Sequence, residues 1–192
     1  MKTDIILAGV GGQGILSIAA TIGMSALANN LHLKQAEVHG MSQRGGAVQS
    51  HFRLSSDPIA SDLIPRGGCD IILSVEPMES LRYVDFLKKD GWIITNSTPF
   101  VNIPNYPDVD AVIAKIKERK NVIILDADKI AKEIGSPRSS NIVALGAATP
   151  FIDIPFESFE EAIKLIFKKK GDKVINANIE ALRAGRAVAD AR

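Results

Sequence analysis

Four short apolar runs set the rhythm of this chain. "DIILAGV", "DIILSVE", "GWIITNS" and "NVIILDA" begin near residues 4, 70, 91 and 121. Each has the length of a strand and stays apolar at successive positions, the pattern of a strand covered by helices on both faces. Three of the four are followed by helical spacing. Residues 16–27 carry Ile18, Ala19, Ile22 and Ala26 on one face, and shorter patterns cover 78–87 and 113–116. Strand–helix alternation of this kind predicts a three-layer α/β/α, Rossmann-like fold on a mostly parallel, doubly wound sheet.

Residues 31–55 break the alternation and read as two strands bracketing a loop. In the second, "AVQSHFRLS", Val48, Phe52 and Leu54 alternate with Gln49, His51 and Arg53. That period of two predicts a half-exposed strand, antiparallel and near an edge, so the sheet should carry an antiparallel hairpin or edge strand. Pro99, Pro104 and Pro107 mark a long loop before the 110s. Two helices are expected in the tail, over 158–169 and 173–190. The last has a stripe of Ala177, Ala181, Leu182, Gly185 and Val188, whose small members permit close docking. No repeat or interdomain linker interrupts the chain, so residues 1–192 are expected to form a single domain.

Composition narrows the function classes. The formal net charge is +1, so no whole-protein field draws in nucleic acid or an anionic membrane. The basic run Lys168–Lys170 reads as a helix C-terminus answering the helix dipole. A single cysteine, Cys69, cannot build a disulfide framework, a cysteine-rich zinc site or an iron–sulfur cluster within this chain. His32, His39 and His51 lack metal-binding spacing, so no metal is expected. Without a leader or a membrane-length apolar run, a soluble, cytoplasmic protein is expected.

The chemistry gathers in two stretches. "AGVGGQGILS" places Gly9, Gly11 and Gly14 in a G-x-G-x-x-G between a strand and a helix, with Gly12 and Gln13 inside it. Such glycines let the backbone turn tightly and aim N–H groups at an anion. "EVHGMSQRGG" follows over 37–46, packing Glu37, His39, Ser42, Gln43 and Arg44 among Gly40, Gly45 and Gly46. Glu37 stands where a dinucleotide fold keeps its ribose-binding acid, but a ribose acid needs no such retinue. Ser74, Glu76, Asn96, Ser97 and Asp126 stand at the carboxyl ends of later strands, where open α/β sheets bind ligands. Each has an alternative reading as a turn or helix cap. A Walker A loop is excluded, because no Gly-Lys-Ser/Thr follows the glycines. No G-x-S-x-G elbow supports a nucleophilic Ser42. "GDKVINAN" has Lys173 where a thiamine-binding motif needs its second glycine, and its asparagines come too soon.

Together these stretches resemble a known family. "GVGGQG", then "EVHGMSQRGG" and "SHFRLS", with "SSNIVALGA" at 139–147, are similar to the gamma-type domain of 2-oxoacid:ferredoxin oxidoreductases. Within that family the resemblance is greatest to the beta, or small, subunits of the indolepyruvate enzymes. The Gly-rich turn alone is weak; its pairing with the second stretch is specific. The resemblance implies a non-autonomous subunit of an enzyme that oxidatively decarboxylates arylpyruvates such as indolepyruvate to aryl-acetyl-CoA, passing electrons to ferredoxin. Thiamine diphosphate, magnesium and iron–sulfur clusters would lie on a large alpha subunit, with coenzyme A as co-substrate and none of these held by this chain alone. The anion- or substrate-facing residues would be Gly9, Gly11, Gly12, Gln13, Gly14, Glu37, Gly40, Ser42, Gln43, Gly45 and Asn96, with His39 and Arg44 as catalytic candidates. Glu37 either orients Arg44 or is a structural acid. Two alternatives stand beside this reading: a free-standing NAD(P)-binding domain of a dehydrogenase or regulator, and a scaffold subunit whose loop is purely structural.

Overall fold

The computed structural model describes residues 1–39, 45–101 and 103–192, His39 in its backbone only. Six strands form one sheet in the order β2-β3-β1-β4-β5-β6. They are β1 (Lys2–Val10), β2 (His32–His39), β3 (Ala47–Ser55), β4 (Cys69–Ser74), β5 (Leu87–Asn96) and β6 (Val122–Leu125). β1, β4, β5 and β6 are parallel, while β3 pairs antiparallel with both β1 and β2. The mostly parallel α/β sheet with an antiparallel hairpin at its edge is therefore present.

Burial follows the two-residue period of β1. Ile5 and Leu7 point into the larger core, with α1 (Ile15–Ala28), α4 (Ala127–Glu133), α5 (Ser140–Ala148), α6 (Phe156–Phe167) and α7 (Asp172–Asp190). Ile6 and Ala8 point the other way, into a smaller core shared with Ile64, α2 (Pro77–Arg82) and α3 (Val109–Lys117). Among the described residues no helix is long and apolar enough to cross a membrane.

Three elements differ from the pattern-based expectation. β3 is buried on both faces apart from Ala47 and Gln49, rather than half-exposed. The polar positions lie beneath residues 56–68, which fold across them like a strap. Arg53 donates to Ser61 O at 2.9 Å and Leu63 O at 3.0 Å, and grips Asp4 through Nε–Oδ1 at 2.8 Å and Nη2–Oδ2 at 3.0 Å. The outer, edge strand is β2. Second, the helix expected over 78–87 stops at Arg82, and a 3₁₀ turn leads into β5 at Leu87. The polar run Lys88–Asp90 resembles a turn, yet it lies in a bulged part of β5, where the pairing jumps from Cys69↔Leu87 to Ile71↔Trp92.

The third difference is α5, which has no amphipathic stripe to betray it. Every residue from Asn141 to Ala148 is buried, because α5 lies between the sheet and α7. A helix surrounded on all sides reads as apolar all round. α7 crosses it at Gly185 and Gly146, where a Cβ would come within 1.9 Å of Val143 O and 2.1 Å of Leu182 O respectively.

The strap has a pH-sensitive fastening. His51 is 6 % exposed, and its Nδ1 accepts the Ile64 N–H at 3.0 Å. Burial first, and the neighbouring Arg53 charge second, lower its pKa from 6.5. The neutral ring is the one that fits, so this contribution is full above the unfolded-state pKa. It is lost as pH falls through 6.5, because the unfolded chain then takes up the proton. Amide exchange at Ile64, corrected for its intrinsic rate, should therefore accelerate severalfold between about pH 7.5 and about pH 5.5, while Ile6 in β1 stays protected. Equal protection at both pH values would mean that His51 does not hold the strap.

Candidate functional site

β1 delivers the chain to the sheet's carboxyl edge, and the Gly-rich turn there is held from three sides. Gly12 and Gly14 have φ of +102° and +86°, a left-handed backbone that an L side chain strains to adopt. Gly9 lies against β4's exit, where a Cβ would stand 2.5 Å from Val75 Cγ2. Gln13 folds inward: its Oε1 accepts the Val10 N–H at 2.7 Å and its Nε2 donates to Val75 O at 3.4 Å. From α5, Asn141 Nδ2 donates to Gly14 O at 3.1 Å. Gln13 thus contributes the shape of the turn, its amide being engaged with backbone.

The second sequence stretch meets the first here. Gly11 N donates to Gly46 O at 2.8 Å, and Gly45 N to Gly11 O at 3.2 Å. These bonds continue the β1–β3 ladder past Val10↔Ala47, so hairpin and turn form one rim. Gly45 has φ +80°. β2 brings His39 opposite Val48. Gly40, Ser42, Gln43 and Arg44 lie outside the described residues. Glu37 pairs with Ser50, itself opposite Leu7, and its Oε2 accepts from Gln35 Nε2 at 3.1 Å. It therefore stands on the edge strand below the rim.

Beside the turn opens a cleft of about 690 Å³. Gly12, Gly14, Arg138, Asn141, Lys170 and Lys173 face it, and none of its lining residues is acidic. Among the described residues no carboxylate pairs with Arg138, Lys170 or Lys173. The N-termini of α1 and α5 open into the same space, adding partial positive charge from peptide dipoles. Such a lining can attract an anion. Sequence reasoning missed these four side chains because they come from separate segments; Lys170 belonged to a run read as a helix terminus.

The other crest side chains bond within the fold, beside a smaller cavity of about 380 Å³ lined by Gln13, Val75, Asn96 and Asp128. Asn96, 4 % exposed, donates to Asp128 Oδ2 at 2.8 Å and Val75 O at 3.5 Å and accepts the Ala127 N–H at 3.0 Å. Asp126 caps α4 through Lys129 N. Glu76, fully buried, accepts from Glu79 N, Phe100 N and the Tyr106 hydroxyl, pinning the long loop to α2. Burial and the Glu76 hydrogen bond push the Tyr106 hydroxyl pKa up, so it serves as a donor.

Two groups do not fit this chain. A dinucleotide fold keeps its ribose acid on a parallel strand beside β1; here antiparallel β3 takes that place, and Glu37 lies a further strand away. Gln13 bridges the exits of β1 and β4 through its bonds to Val10 N and Val75 O. Iron–sulfur clusters fail on donor chemistry. The lone Cys69 is wholly buried, its Sγ directed at Ile71 O and Asp4 O, and burial pushes its pKa up to about 12. Among the described residues no group of three His, Cys, Asp or Glu side chains converges to hold a metal ion.

A Rossmann-like sheet whose Gly-rich turn is joined to a hairpin rim defines the class of this α/β domain. Residues 4–188 match the family model of pyruvate ferredoxin/flavodoxin oxidoreductases, and the chain belongs to that family. It is 35% identical over 194 residues to indolepyruvate oxidoreductase subunit IorB of Archaeoglobus fulgidus, covering 96% of this chain and 94% of that one. Its fold matches a 2-oxoglutarate:ferredoxin oxidoreductase from Magnetococcus marinus, solved with 2-oxoglutarate, coenzyme A and succinyl-CoA bound, at TM-score 0.79 and 25% identity. That match covers all of this chain and 31% of the longer one. A keto/oxoacid ferredoxin oxidoreductase gamma subunit from Geobacter sulfurreducens shares the fold at TM-score 0.71 and 23% identity, covering 99% of both chains.

Proposed function

We propose that this chain, one gamma-type domain over residues 1–192, is the small subunit of a heteromeric indolepyruvate ferredoxin oxidoreductase. The complex converts arylpyruvates to aryl-acetyl-CoA, and this chain's basic cleft receives the phosphates of coenzyme A. The observation that carries the reading is the joining of Gly11 to Gly45 and Gly46 beside a cleft whose three cations pair with no carboxylate among the described residues. Lys170, Lys173 and Arg138 neutralise the phosphates, and the turn's N–H groups fix one of them. Thiamine diphosphate, magnesium and iron–sulfur clusters belong to a large alpha subunit, which hands electrons to ferredoxin. His39 and Arg44 are the catalytic candidates and Ser42 and Gln43 substrate- or coenzyme-binding candidates, with Arg44 suited by its charge to an anionic or carbonyl group.

α1 supports the need for a partner. It carries no charged residue, and its exposed face is apolar: Leu16 is 58% exposed, Met24 36% and Leu27 62%. Its polar Thr21 and Ser25 are buried and bond back to Ser17 O and Thr21 O. An apolar outer face beginning at the turn suits a surface covered on assembly with the alpha subunit. The reduced cytoplasm suits a lone thiol such as Cys69.

The test uses the purified two-chain complex with indolepyruvate, coenzyme A and ferredoxin. The double variant Lys170→Ala/Lys173→Ala should raise the KM for coenzyme A by about tenfold or more, a loss of roughly 1.4 kcal/mol or more of charge-assisted contact. Arg44→Ala should lower turnover while the complex still co-purifies, and the chain without the alpha subunit should show no activity. An unchanged KM would remove the coenzyme from this cleft. Tight NAD binding by the isolated chain would restore the dehydrogenase reading.

A further inference from the structure

α1 and α5, whose N-termini open into the cleft, have no side-chain caps, and neither do α6 and α7. α2, α3 and α4 are each capped by an acid, Glu76, Asp108 and Asp126. α1 starts at Gly14, which has no side chain to offer. α5 starts at Ser139, whose hydroxyl is turned to Ser136 Oγ at 2.7 Å instead of the helix amides. Two long helices, of 14 and 9 residues, thus keep their first N–H groups available to the same space.

One side chain joins these two ends. Asn141, in the first turn of α5 and 8 % exposed, reaches across to donate Nδ2–H to Gly14 O at 3.1 Å. That carbonyl also accepts Ser17 N at 3.0 Å and Ile18 N at 3.3 Å, so it is where the α1 hydrogen-bond pattern begins. The fit is tight: a Cβ on Gly14 would lie 2.5 Å from Asn141 Nδ2. We infer that Asn141 is a positioning residue for the coenzyme, locking the Gly-rich turn to α5 so that both uncapped helix ends address one anionic group. This rests on the coenzyme reading of the cleft given above.

The choice of asparagine follows from charge. The position needs a donor for a carbonyl, and a neutral one, because it stands between two helix N-termini. An aspartate in its place would keep the shape but set a carboxylate against Gly14 O and into the field meant for the ligand. Alanine removes the strut and adds no charge. A merely structural asparagine would answer to the loss of its hydrogen bond alone; a positioning one also answers to the charge.

The experiment compares Asn141→Ala and Asn141→Asp with Lys170→Ala/Lys173→Ala in the assembled two-chain enzyme, reading KM for coenzyme A, KM for the 2-oxoacid, kcat and Tm. Asn141→Ala should raise the KM for coenzyme A about tenfold, leaving the 2-oxoacid KM unchanged and kcat at saturating coenzyme within about twofold. Asn141→Asp should raise it at least about threefold further. If only the lysine variant raises that KM, the cleft reading stands and the role of Asn141 is overturned. If neither the lysine nor the Asn141 variants move it, the cleft reading itself fails. Parallel changes in both KM values and kcat that track Tm, equal for Ala and Asp, would make Asn141 a structural residue only.

Discussion

Gly185→Ala is expected to destabilise the fold by about 3 kcal/mol or more, a fall in Tm of about 6–12 °C for a chain of this size. In an exposed helix the same change would stabilise by up to about 1 kcal/mol, since alanine is the better helix former. The sign reverses because α7 crosses α5 with backbones nearly touching. A methyl on Gly185 would sit 1.9 Å from Val143 O and 3.0 Å from Ala147 N, and neither atom can move without dragging α5. α5 cannot retreat, because its other side is packed on the sheet. The strain also reaches the cleft, since Asn141 is on α5 and Lys173 on α7. Thermal unfolding of Gly185→Ala beside an exposed-site control such as Lys164→Ala decides the matter. A melting temperature within about 1 °C of the parent would mean that the two helices adjust freely.

The second large effect concerns Asp4. Arg53 is the cation at the bottom of the strap, its side chain 10% exposed against 1% for Asp4. The Asp4 hydrogen bond is the main cause of its raised pKa. Asp4→Ala would leave the guanidinium buried with the Ser61 and Leu63 carbonyls as its remaining hydrogen-bond partners among the described residues. A single broken buried pair of this kind costs about 3–5 kcal/mol, most of it the desolvation of the orphaned charge. Replacing both residues by apolar ones of similar size, Asp4→Leu/Arg53→Met, should recover most of that loss. Urea unfolding of the parent, the single variants and the double variant measures the coupling. Additive losses would show that the pair is solvated and that the strap is held by other contacts.

Much of the frame was readable along the chain. The four apolar runs became β1, β4, β5 and β6, each covered on both faces, and the period-two stretch became antiparallel β3. The G-x-G-x-x-G fell where its glycines require it, at the turn between β1 and α1. The tail stripe was also readable as a docking face, though not what it docks on. α5 escaped because pattern reading depends on contrast between a wet and a dry face, and α5 has only dry ones. β3 escaped in part because His51, Gln49 and Arg53 mark a polar face whether it meets water or a strap; only tertiary contact distinguishes the two.

The site divides along the same line. The sequence by itself determined that a flexible turn and a reactive-looking loop exist, that no cysteine framework is available, and that the pairing of the two stretches is family-specific. Those are properties of residue type and spacing, which local backbone chemistry enforces wherever the segment ends up. Only the tertiary structure decided that Gly11 meets Gly45 and Gly46, that Gln13 bridges Val10 and Val75, and that Arg138, Asn141, Lys170 and Lys173 share one cleft. These four side chains lie more than half the chain away from the turn they face. Their convergence is set by the crossing of α5 and α7 over the sheet, a matter of packing that no local pattern encodes.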